Sequence, residues 1–143
     1  MPLIDGVRTS CDALTSSDFS RIYQTVEDFF SGLISRNLEL LMRTWHPEAR
    51  ICYVHNGHLS STSFSMLEDY CQQQNRVSEI LDWRIIHFES SGFIAIVKVM
   101  VCVEYSQSTT MYLDYLTLMK FPNEKWFIVN KAFHSLRILE GLD

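Results

Sequence analysis

Apolar residues recur at helical spacing near the start of the chain and alternate at strand spacing through its second half. Phe19, Ile22, Tyr23, Val26, Phe29, Phe30, Leu33 and Ile34 fall on one face of a helix over residues 17–35. Ser16 and Ser17 are placed to cap it, and Asp18 suits its positive end. Asn37 predicts the cap of a short second helix carrying Leu38, Leu40, Leu41 and Trp45, ended by Pro47. Residues 50–55 read as a strand, Asn56-Gly57 as a tight turn and residues 58–62 as its return. Ser65-Met66-Leu67-Glu68 has the form of a capping box. It opens a third helix with Leu67, Tyr70 and Cys71 that ends near Asn75.

Strands follow one another from there. They cover residues 80–88, 93–105, 111–121 and 126–138, separated by Ser90-Ser91-Gly92, a polar link and Pro122-Asn123-Glu124. Four strands on short turns predict an antiparallel meander. Helices first and strands last predict an α+β cone, three N-terminal helices packed on a curved antiparallel sheet. Residues 1–16 read as an irregular lead-in and 17–143 as one domain.

Alternation assigns the faces. Ala95, Val97, Val99, Val101 and Val103 share one, with Lys98 and Glu104 behind them. Leu113, Tyr115, Thr117 and Met119 are expected on the concave side, with Tyr112, Asp114 and Lys120 outside. Trp126, Ile128, Asn130, Ala132 and His134 are expected to face inward, opposite Phe127, Val129, Lys131 and Phe133. Both faces of that last strand are apolar, which predicts a second subunit over the outer one.

Composition narrows the function classes. Hydrophobic residues are 47% and aromatic residues 13% of the 143, too apolar for a disordered chain. The net charge of −5 with no basic patch argues against nucleic acid and against anionic membrane surfaces. Cys11, Cys52, Cys71 and Cys102 form no close pair, which predicts reduced thiols, no metal site and a cytoplasmic setting. No signal-like segment and no apolar run of about 18–20 residues is present.

The order of elements, with three local stretches, resembles the nuclear transport factor 2-like superfamily over residues 17–138. Trp45-His46-Pro47-Glu48-Ala49-Arg50-Ile51 resembles its aromatic-x-x-x-Ala entry to the first strand. Gly92-Phe93-Ile94-Ala95 resembles its turn-then-Ala entry. Residues 115–120 and 126–131 resemble its closing hairpin, most of all in the lumazine-binding branch near the small polyketide cyclases. The acids of ketosteroid isomerases are absent: the resemblance puts Phe29, Tyr53 and Thr117 at their positions. Arg50-Ile51-Cys52-Tyr53 is similar to the Arg-Ile-x-Tyr of scytalone dehydratase, where the Tyr helps hold a water. The helix-borne Tyr-Asp pair of that family falls on Leu33 and Ile34, and its cavity Asn on Tyr115. The Asp-Arg-Asp set of limonene epoxide hydrolases has no match.

The expected site is a sparse polar set in an apolar cavity. His134 would move the proton, and Tyr53 and Tyr115 would polarise a carbonyl. Phe29, Trp45, His55, Leu113, Thr117, Met119 and Asn130 would line the substrate. That reading is a cofactor-free isomerase, cyclase or dehydratase acting on a small apolar or polyketide-like molecule in natural-product metabolism. The second reading is a non-catalytic homodimer that binds a ligand or a protein.

Overall fold

The computed structural model describes residues 16–140, with side chains placed for 17–136. Of the expected lead-in over residues 1–16, residues 1–15 lie outside the described residues, and Ser16 already opens the first helix. The elements are α1 (Ser16–Ser35), α2 (Leu38–Met42), β1 (Trp45–His55), β2 (His58–Thr62), α3 (Ser65–Gln72), β3 (Ser78–Ser91), β4 (Ile94–Tyr105), β5 (Ser108–Phe121) and β6 (Lys125–Glu140). A single 3₁₀ turn, Pro122–Glu124, joins the last two strands. The architecture is α+β, a six-stranded curved open sheet with its helices at the N-terminal side. Among the described residues no helix is long and apolar enough to cross a membrane.

Strand order is β2-β1-β6-β5-β4-β3. The meander β3 to β6 is antiparallel throughout, as is the β1–β2 hairpin. Strand β1 joins β6 in parallel, so the antiparallel expectation holds for every described pair but that one. Asn56 and Gly57 both have positive φ, which suits the right-handed twist of a two-residue hairpin.

Helix α1 lays Ile22, Val26, Phe29, Phe30 and Leu33 on the sheet, all buried. The buried stripe is narrower than the periodicity suggested, since Phe19, Tyr23 and Ile34 are exposed. Gly32 lets α2 approach: a Cβ there would meet the Leu41 side chain at 2.7 Å. A buried carboxylate ties α1 to the far end of the meander. Asp18 accepts from Trp126 Nε1 at 3.1 Å and pairs with Lys120 Nζ at 3.1 Å.

Two local expectations need correction. Helix α2 stops at Met42, and Trp45 already begins β1. Pro47 sits within β1, where the register against β6 shifts between Trp45 and Arg50, because proline has no N–H to give to the ladder. Asn37 does cap α2, its side chain accepting from Leu40 N. Ser65 does not cap α3. It is the first helical residue, after an N-cap Phe64 with no side-chain cap bond.

Candidate functional site

The parity of β5 and β6 decides which side chains meet under the helices. Directly opposed residues of an antiparallel pair share a face. Val97, Val99 and Val101 of β4 oppose Leu116, Asp114 and Tyr112 of β5, with no register shift between the strands. The inner face of β5 is therefore Tyr112, Asp114, Leu116 and Leu118. Strand β6 shifts register between the Thr117↔Asn130 and Leu118↔Ile128 pairs, so Val129 is an extra residue. Such a bulge reverses the alternation beyond it. Trp126 and Ile128 are buried before the bulge, and Lys131 and Phe133 face inward after it, opposite Leu116 and Asp114.

These inward residues line a cavity of about 380 Å³ between the sheet, α1 and α3. Its apolar wall comes from Phe30, Leu33, Ile51, Leu67, Ile80, Val101, Val103 and Phe133. Its polar groups are Asp114, Lys131, Tyr53, Tyr70, Tyr105, Tyr112 and Ser78. Lys131 Nζ lies 3.5 Å from Asp114 Oδ2, with the two side chains 14% and 5% exposed. The Tyr53 ring packs on Phe133 at 5.0 Å, and Tyr112 meets the same ring edge-on at 5.9 Å. The Tyr105 and Tyr112 hydroxyls are 2.7 Å apart.

Helix α3 closes one side of the cavity with Met66, Leu67 and Tyr70. Arg36, at the end of α1 with φ 55°, holds it there. Its guanidinium lies 4.1 Å over the Tyr70 ring and donates to Tyr70 O at 2.9 Å and Ser78 O at 2.8 Å.

Burial sets the electrostatics. It pushes the Asp114 carboxyl above the usual carboxylate range, and the Lys131 ammonium only partly offsets this. Burial and then the bond to Tyr112 raise the Tyr105 phenol well above its ordinary value. Burial raises Tyr70 too, against the pull of Arg36. A carboxylate of raised basicity beside an ammonium can take a proton and hold the oxyanion that results. Among the described residues no cluster of three or more His, Cys, Asp or Glu could hold a metal ion.

Of the expected site residues, Tyr53 reaches the cavity. His134 does not: it is exposed on the outer face, opposite Leu113, with Nδ1 3.2 Å from Ser135 O. Tyr115 is also exposed on that face, its ring 5.4 Å from Lys98 Nζ. Leu113, Thr117, Met119 and Asn130 share the outer face with them, and Asn130 Oδ1 accepts from Cys52 Sγ at 3.8 Å. Phe29 and Trp45 are packed core, their rings stacked at 5.7 Å. His55 is exposed in the hairpin opposite His58. The residues missed are Asp114, Lys131, Tyr70, Tyr105 and Tyr112. Their signal was one acid and one base in the apolar centres of two successive strands.

Comparisons with known proteins agree with this architecture. A structure of an NTF2-like protein of unknown function from Shewanella baltica OS155 superposes with a TM-score of 0.69 at 16% identity, over 85% of this chain and 95% of that one. A ketosteroid isomerase-like protein from Erwinia carotovora atroseptica gives 0.68 at 9% identity, over 86% and 99%. A protein described as a putative scytalone dehydratase, from Novosphingobium aromaticivorans, gives 0.68 at 14% identity, over 87% of each chain. No curated protein matches the sequence. The sequence profile of the family described as "Putative lumazine-binding" matches residues 17–134, so the chain belongs to that family and carries the NTF2-like fold.

Proposed function

We propose that the cavity is the site of cofactor-free acid–base chemistry on a small, largely apolar molecule, of the isomerase, cyclase or dehydratase type. The observation that carries the reading is the Asp114–Lys131 pair opening onto an apolar cavity. Asp114 takes a proton from the carbon beside a carbonyl. Lys131 stabilises the enolate oxygen, and Tyr53 is a donor on the same cavity wall. Returning the proton to a different atom completes an isomerisation. Breaking the C–O bond to a β-hydroxyl as the enolate collapses, with the proton from Asp114 passing to the departing oxygen, releases water and completes a dehydration. The same-type proteins among the structural neighbours support the class of chemistry. The residues differ from the expected set because β5 turns Tyr112 and Asp114 inward and β6 is bulged at Val129.

The test is proton exchange on 2-tetralone in D₂O, followed by NMR. The protein is expected to accelerate loss of the α-proton signal, and Asp114→Asn to remove about 10²–10⁴-fold of that acceleration. Absence of acceleration, or equal rates from a folded Asp114→Asn variant, would overturn the reading.

A second reading rests on the outer sheet face, where Ile94, Ile96, Tyr115 and Met119 are all exposed. Such a patch suits a homodimer. Sedimentation of the wild type and of Ile96→Lys separates the cases: a dimer that the charge disrupts supports it, and a monomer at tens of micromolar contradicts it.

A further inference from the structure

We propose that the Tyr105–Tyr112 hydroxyl pair is a second binding site of the cavity, one that takes a neutral oxygen acceptor at the far end of an elongated ligand. The inference rests on the reading of the cavity as a small-molecule site and adds the shape and chemistry of the occupant.

Tyr105 ends β4 and Tyr112 lies near the start of β5, and both line the cavity. Val103 and Thr110 oppose each other between them, so the two long side chains lean together until their hydroxyls are 2.7 Å apart. Among the described residues neither hydroxyl has another hydrogen-bond partner. Two phenols at this distance place one proton between their oxygens. Whichever tyrosine donates, the other O–H is left to donate to a third oxygen. Burial and pairing hold Tyr105 above the ordinary phenol range, so it remains a neutral donor at any ordinary pH. A donor without charge selects an acceptor without charge, such as a ketone, ester or ether oxygen.

The other polar pole sets the length. The Val103–Thr110 pair that separates the two tyrosines is four residues from Asp114 along β5, about 13 Å of strand. Val101 and Phe133 line the stretch between. The geometry fits a rod that is apolar in the middle, with the group that meets Asp114 and Lys131 at one end and an acceptor at the other.

Two rods test this by calorimetry: 4-hydroxybiphenyl, and 4′-acetyl-4-hydroxybiphenyl, which adds a carbonyl acceptor and its methyl, the methyl's share being the part of any gain that survives loss of the hydroxyls. One further hydrogen bond is expected to make the acetyl rod bind about 2–10-fold tighter to the wild type. The double variant Tyr105→Phe/Tyr112→Phe is expected to erase that hydrogen-bond advantage, so that the two rods bind it nearly alike. Either single variant retains part of it, since one hydroxyl can still donate. Lys131→Met is expected to weaken both rods alike. An acetyl advantage that is absent from the wild type, or is undiminished in the double variant, overturns the proposal, as does failure of both rods to bind. The readout is binding, so a failed exchange experiment at Asp114 does not alter this result, and the two ideas fail separately.

Discussion

The concave face of the sheet has two ends built on different terms. Under α1, Ala95, Val97, Leu118 and Ile128 are fully buried in one apolar cluster with Val26, Phe29 and Phe30, and the Asp18 tie lies at its rim. Toward α3 the same face turns hollow and carries Asp114, Lys131 and three tyrosines, with Tyr70 of α3 across from them. The first end is packed to exclude everything. The second gives up packing contacts and holds two opposite charges out of water, which desolvation makes costly unless they stay paired. The fold is packed solid at one end and left hollow at the other.

Substitutions should separate the two ends. The largest effect is expected from Phe29→Ala, which empties a site packed by Phe30 and Trp45. It should cost about 3–5 kcal/mol in urea unfolding, a fall in Tm of roughly 10 °C.

Lys131→Met should come next, because it strands a buried carboxylate and costs up to about 3–5 kcal/mol at neutral pH. Asp114→Asn added to it should recover most of that loss. A double variant no more stable than Lys131→Met alone would mean that the pair is not coupled.

Stability should also change with pH in the direction that burial of Asp114 sets. Its folded pKa is raised, so the native state binds the proton more tightly than the unfolded chain. Asp114's contribution is most favourable below the unfolded value of about 3.9 and declines as pH rises through the folded value. Urea unfolding of the wild type and of Asp114→Asn across that range should differ by this declining component. Parallel curves would contradict it.

The smallest effect is expected from His134→Ala. The side chain is exposed on the outer face, so stability should move by no more than about 0.5 kcal/mol. Exchange activity in the cavity should be unchanged.

Much of the fold was legible because β4 is regular. Its valines alternate without interruption, and their burial follows the sequence pattern. The helix stripe, the Asn56-Gly57 turn and the Asn37 cap were legible for similar local reasons. The site was not, for two physical reasons. Strand β5 places a charge inside, and Asp114 is tolerable there only because Lys131 meets it from the next strand, a pairing that no single-strand pattern contains. Strand β6 reverses its facing at Val129 with no glycine or proline to mark the bulge. The trace it did leave was an apolar residue on both faces. Trp126 and Ile128 face the core before the bulge and Phe133 faces the cavity after it, so the pattern that suggested a covering subunit on this strand has an explanation within the chain.

The most direct test of the acid–base pair is an NMR titration of the Asp114 carboxyl carbon in the intact protein, assigned by its loss in Asp114→Asn. The expected result is a midpoint above the ordinary carboxylate range, moved higher still in Lys131→Met, where the opposing ammonium is gone and burial acts alone. A midpoint at or below the ordinary value, unmoved by Lys131→Met, would contradict the placement of a coupled proton-handling pair on the cavity wall.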